Sequence, residues 1–233
     1  IRDSARDVGT DIDPDAIRQA LCALAARVGR DLAPQLEALH DRLHETRPYS
    51  PDAAQAGARA LRNAALTYLC HGLGPAGAAR AGQQFDEAGN MTDRLAALSA
   101  LTHAPGPELD RALAAFERRH QHDALALDKW FTLQATMPGR PTLDRVKALL
   151  RHPGFSLRTP NRVYALLSAF AHSNPSEFHR PDGAGYEFVA DLVVTIDSFN
   201  PQVAARLMSA FRTWRTLEPV SYTHLRAHET EAD

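Results

Sequence analysis

Two histidines four residues apart, in His40-Asp41-Arg42-Leu43-His44, come closest to chemistry in this chain of 233 residues. On a helix that spacing puts both rings on one face, the arrangement with which HExxH helices hold zinc. Here aspartate replaces the glutamate and shortens the reach of the would-be base. Asn63 occupies the position where some such sites take a third, glutamate ligand, and asparagine binds zinc poorly. The run therefore reads as a solvated polar face beside the Leu36, Leu39 and Leu43 stripe. The remaining histidines do not converge. His120 and His122, in ERRHQHD, suit an exposed helix end where the dipole favours positive charge. His152 precedes Pro153, and His224 and His228 lie close to the end of the chain. No GxSxG, P-loop or GxGxxG occurs, and the glycines of Asp182-Gly183-Ala184-Gly185-Tyr186 read as a tight turn leading into a helix. No catalytic constellation emerges.

Composition removes several function classes. A formal net charge of -2 gives no electrostatic reason to expect nucleic acid, whose binders carry a basic face. All but two of the 26 basic residues are arginine, Lys129 and Lys147 being the exceptions; with so much alanine, this is the mark of a GC-rich genome. Cys22 and Cys70 are the only cysteines and sit among alanine and leucine, so buried free thiols and a reducing, cytoplasmic setting are expected. No apolar run approaches the length of a membrane span, and IRDSARDVGTDID lacks the layout of a leader. No membrane partner is expected. The first residue is isoleucine, which fits a piece cut from a longer chain.

The elements that would have to position any site are helical. Asp13-Pro14, Ser50-Pro51, Thr159-Pro160 and Asn200-Pro201 each place a capping residue before a proline at the first helical position. Apolar residues then recur at helical spacing. Ile17, Leu21, Leu24 and Val28 form the first stripe, and Ala54, Ala58, Leu61, Ala65 and Leu69 the third. Leu143, Val146, Leu149 and Leu150 follow, and Val203, Leu207, Ala210, Phe211 and Trp214 close the series. About eleven helices joined by short Pro/Gly/Asn turns, with no convincing strand, predict an all-α fold. Pairs recurring every few tens of residues point to a superhelical stack of antiparallel helix pairs, a HEAT- or armadillo-like α-solenoid.

Several runs are more specific than periodicity. They are Arg59-Ala-Leu-Arg-Asn63, Gln84-Phe-Asp-Glu-Ala-Gly-Asn-Met-Thr-Asp-Arg-Leu-Ala-Ala-Leu98 and Leu127-Asp-Lys-Trp-Phe-Thr-Leu-Gln-Ala-Thr136. His152-Pro-Gly-Phe155, Pro160-Asn-Arg-Val163, Asn174-Pro175 with Phe178-His179, and Asn200-Pro-Gln-Val-Ala-Ala-Arg206 follow in order. Together they resemble the C-terminal helical domain of bacterial aminopeptidase N, a gluzincin zinc metallopeptidase, over about residues 13–219.

The resemblance implies a parent enzyme that removes N-terminal residues from peptides. Its zinc and catalytic residues would lie in an upstream domain, so this piece alone is expected to be inactive, with no catalytic, metal or cofactor residue of its own. It would enclose the active site and shape peptide entry, with the catalytic domain of the same polypeptide and peptide substrates as its partners. Asn90 or Thr92 and Asp128 are expected to cap helices, and Trp130, Phe131 and Trp214 to fill the core. Arg206 lies away from Val203 and Leu207 and is the candidate for the peptide cavity, where its guanidinium would meet a carbonyl or carboxylate. A surface ion pair is the plainer alternative. Residues 1–12 read as linker. Residues 220–233, VSYTHLRAHETEAD, resemble a translated sequencing adapter and read as a non-native tail. The competing class is an independent helical-repeat scaffold that binds a protein partner on its concave face.

Overall fold

A computed structural model describes residues 12–139 and 141–216, the side chains of 213–216 excepted. The expected inward packing of Trp214, the tail 220–233, and all but Ile12 of the expected linker lie outside the described residues. Among the described residues twelve α-helical elements follow one another: α1 Pro14–Asp31, α2 Ala33–Arg42, α3 Ala53–Leu73, α4 Pro75–Glu87, α5 Met91–Leu101 and α6 Pro107–His120. Then come α7 Ala124–Ala135, α8 Pro141–Leu149, α9, α10 Pro175–Phe178, α11 Ala184–Asp197 and α12 Pro201–Met208, followed by a 3-10 segment, Ser209–Thr216. Helix α9 runs from Pro160–Val163 through a π-helical turn, Tyr164–Ser168, into Ala169–Ser173. Among the described residues the one β feature is an isolated bridge at Ile12. The fold is all-α.

Side-chain caps fix where the helices begin. The Asp13 carboxylate accepts from the amides of Asp15 and Ala16 at 2.9 and 3.0 Å. Asn90 accepts from Asp93 N at 2.9 Å, and Asn200 from Val203 N at 3.2 Å. Each satisfies one or two of the amides that a helix start leaves unpaired. Two caps move from their expected places. Asp52, not Ser50, caps α3, because its carboxylate reaches Gln55 N at 2.9 Å. Asp123 caps α7, which puts Asp128 in mid-helix, where it pairs with Arg162.

The chain packs as two compact units: Ala20–Arg119, and the described residues from His120 onward with those up to Gln19. In the first, α2 packs on α3, and α3, α4 and α5 pack on one another. Its core is mostly leucine and alanine, with Phe85 and Phe116 as its buried rings. Leu66, Leu69, Leu98 and Leu101 are wholly buried beside Ala81, Ala97 and Ala112. Close approach replaces bulk there. A Cβ on Gly72 would stand 2.4 Å from the Gly29 carbonyl carbon, and one on Gly77 2.4 Å from the Leu69 oxygen.

The second unit is aromatic. Phe178 lies edge-on to Phe170, Tyr186 and Phe211, with ring centroids 6.3, 5.0 and 5.2 Å away. Phe131 meets Trp130, Phe155 and His152. His152 is thus packed against rings, and its Nδ1 accepts from Gly154 N at 3.0 Å.

Two expected stripes are rotated. Leu21 and Leu24 of α1 are 41% and 61% exposed, and Leu61 of α3 is 51% exposed. In α3 the buried face instead runs through Gln55, Arg59, Arg62, Ala65, Leu66 and Leu69. Partners in the preceding loop make that possible. Gln55 donates to the Pro48 carbonyl at 3.1 Å and Arg59 to that of Ser50 at 2.9 Å. A polar side chain with its hydrogen bonds made can displace a leucine that lacks an apolar neighbour.

Candidate functional site

Asn200 and Pro201 set the phase of α12 and thereby the direction of Arg206. With the cap at Asn200, Val203, Ala204 and Leu207 turn into the core and Arg206 faces out. Its guanidinium lies over the ring of Tyr164, 4.7 Å from the centroid. Among the described residues no carboxylate pairs with it, so the expected alternative of a surface ion pair is not what forms. Tyr164 opens the π-helical turn of α9. That turn widens the helix, and π turns recur at functional sites. Thr132 of α7 donates its hydroxyl to the Ala165 carbonyl at 3.0 Å, which ties the widened turn down.

A guanidinium stacked on an aromatic face keeps its edge N–H groups free and loses little rotamer freedom when they bind. The arrangement can offer a preset donor edge to a carbonyl or carboxylate. Periodicity had no means of finding Tyr164, because a π turn leaves no spacing signature in one sequence.

The His40/His44 pair is brought to one place and disqualified there. His40 is 4% exposed rather than solvated. Its Nε2 faces Gln84 Oε1 at 2.8 Å and its Nδ1 faces Arg80 Nη1 at 3.3 Å. The ring therefore donates to the glutamine and accepts from the arginine, and neither nitrogen is left for a metal. Burial, with Arg62 and Arg80 beside it, holds its pKa below the ordinary histidine value against the pull of Gln84. His44 Nδ1 takes Arg62 Nη2 at 3.1 Å.

This pair belongs to a knot of polar side chains. Gln84 donates to Asn63 Oδ1 at 2.7 Å, and Asn63 donates to Asp93 Oδ1 at 2.9 Å. Asn63, weighed above as a failed ligand, instead links α3 to α5. Among the described residues no group of three or more His, Cys, Asp or Glu side chains could hold a metal ion. Cys70 is buried, Cys22 half-buried, and both are free thiols. Desolvation raises the Cys70 pKa to about 12, so that thiol is inert.

Residues 2–228 match a family model described as "Domain of unknown function (DUF3458_C) ARM repeats". The chain belongs to this family. The matched stretch begins before Asp13 and runs past Pro219. Aminopeptidase N of Caulobacter vibrioides is 40% identical over 207 residues, which are 89% of this chain and 24% of that protein. Aminopeptidase N of Escherichia coli K12 is 40% identical over 197 residues, 84% of this chain and 22% of that protein. The chain thus spans about a quarter of the length of these relatives, and it is a C-terminal helical domain of the aminopeptidase N family. Among solved structures, Legionella pneumophila aminopeptidase A in complex with aspartic acid superposes with a TM-score of 0.83 at 30% identity, over 92% of this chain and 26% of that one. The resemblance read from the ordered sequence runs is therefore correct. The ARM-repeat description agrees with an α-solenoid of helix pairs. No described helix is long and apolar enough to cross a membrane.

Proposed function

We propose that this chain is the substrate-enclosing helical domain of a cytoplasmic zinc aminopeptidase. In this reading residues 13–219 act as one domain. Its partners are the catalytic domain of the same polypeptide and the peptides that enter between them. Zinc and the groups that activate water belong, in this reading, to that other domain, and His40, which came closest to a ligand in the sequence, is held by Gln84 and Arg80. What this domain supplies is exclusion of water and selection of peptides by size and end group. Arg206, held over Tyr164, is the group that would meet a peptide carbonyl or C-terminal carboxylate. The observation that carries the reading is the 40% identity to aminopeptidase N across 89% of this chain.

The test is a chimaera in which this chain replaces the matching segment of Escherichia coli aminopeptidase N. Arg206→Ala in that chimaera should raise KM for short peptides about 10-fold or more, the loss of one charge-assisted hydrogen bond. Hydrolysis of an alanine anilide, which has no C-terminal carboxylate, should change little. An unchanged peptide KM would remove Arg206 from the cavity. The chain by itself, supplied with zinc, should not hydrolyse the anilide; turnover there would overturn the assignment of catalysis to another domain.

A further inference from the structure

Arg94, in the first turn of α5, is 7% exposed, yet its guanidinium donates only to the Ala88 carbonyl. Among the described residues no carboxylate pairs with it. Asp93, the acid of the same turn, is turned elsewhere and accepts from Asn63 and Asn90. A buried cation without a counter-charge is costly, and natural cores seldom leave one so. Burial first, and then the charge of Arg119, hold its pKa below the usual arginine value.

A cavity of about 410 Å³ opens beside it, lined by Phe85, Asp86, Arg94, Ala115, Arg118 and Arg119. Ala115, Arg118 and Arg119 fall at i, i+3 and i+4 on α6, so they share one helix face, and the alanine leaves the room that a longer side chain would fill. Asp86, the one acid in the wall, is engaged by Arg111 at 3.0 Å. Arg118 and Arg119 are exposed and form no ion pair with a described residue. Three guanidiniums therefore face one space with their charge unspent.

We propose that this cavity binds a phosphate dianion, free or as a monoester. A carboxylate is planar and is satisfied by a single guanidinium fork. Three guanidiniums converging from two helices suit a tetrahedral dianion, which accepts from several directions. The volume exceeds that of inorganic phosphate, and the buried Phe85 gives the wall an apolar part against which an organic substituent fits. The site stands apart from the reading of Arg206 and does not depend on it.

The experiment is calorimetric titration and thermal unfolding of the full chain with inorganic phosphate or phenyl phosphate, against chloride at matched ionic strength. Wild type is compared with an Arg118→Ala/Arg119→Ala variant, whose two positions are exposed and leave the core intact. Phosphate also stabilises proteins by exclusion from their surface, but that effect acts equally on both proteins. A site shows as saturable binding near one per chain and a rise in Tm of about 2–4 °C in the wild type that the variant lacks. Tighter binding of phenyl phosphate assigns the site to monoesters, and equal binding to the free ion. No saturable heat, the same rise in chloride, or the same rise in the variant would overturn the proposal.

Discussion

The two units solve the same problem with opposite materials. Ala20–Arg119 brings helices together by removing side chains, at Gly29, Gly72 and Gly77, and cross-links them through the His40, Gln84, Asn63 and Asp93 knot. The unit from His120 onward fills its interior with interlocked rings around Phe131 and Phe178. The difference teaches where each is vulnerable. An aromatic core fails when volume is lost, and a close-packed one fails when volume is added.

Five substitutions would break or sharpen that contrast. The largest expected effect is Phe178→Ala, which empties a wholly buried ring site touched by three other rings and should cost about 3–5 kcal/mol in urea unfolding. A cost below ~1 kcal/mol would mean that the rings collapse into the gap and the contrast is false.

Acid comes next. His179 is buried against Tyr186, Nδ1 to hydroxyl 2.7 Å, and desolvation lowers its pKa to about 4. The unfolded chain takes up that proton near the ordinary value of 6.5, while the folded chain resists until about 4. Stability is therefore full above about 6.5, falls as pH drops from there to about 4, and levels off below; His179 accounts for at most about 3 kcal/mol of the loss. His103, stacked on His71 at 4.0 Å, adds a loss of the same sign in the other unit, because burial and then His71 lower its pKa to about 4. In His179→Gln, the difference between urea midpoints at pH 7 and pH 5 should shrink. An undiminished difference would place the acid sensitivity elsewhere.

Gly77→Ala tests the opposite failure. The added carbon meets the Leu69 backbone oxygen, which cannot turn aside, and the expected cost is about 1–3 kcal/mol. The same change at Gly57, where nothing lies within 4 Å of an added Cβ, should be neutral or slightly stabilising. Equal outcomes at the two glycines would refute close packing as the principle of this unit. Of the destabilising changes, the smallest effect is expected from Gln84→Leu. It leaves the Asn63 oxygen and one His40 nitrogen without their partner and should cost about 1–2 kcal/mol, read as faster hydrogen exchange in α3 and α5.

Helix starts were legible because a cap is a local matter. Asp13, Asn90 and Asn200 bond to amides two or three residues ahead, and no distant element is needed to predict them. The family was legible for a different reason: seven ordered runs are too specific for helical periodicity alone to produce. Asp52 and Asp123 mark the limit of cap reading, since a second polar candidate, Ser50 or Asp128, lies within a few residues of each start.

Which face of a helix is buried was harder. Leu21, Leu24 and Leu61 keep perfect helical spacing and still meet solvent, because burial needs a neighbour and spacing supplies none. Gln55, Arg59 and Arg62 go inside because the loop ahead of α3 holds partners for them. The candidate site divides in the same way. The phase that points Arg206 outward is written in Asn200-Pro201. That its guanidinium rests on Tyr164 depends on a π turn in α9 and on the packing of two helices. The sequence by itself determined an all-α chain, its main caps and the family. Only tertiary structure decided the partners of the buried polar groups, because a hydrogen bond across more than one helix depends on distances that no local pattern encodes.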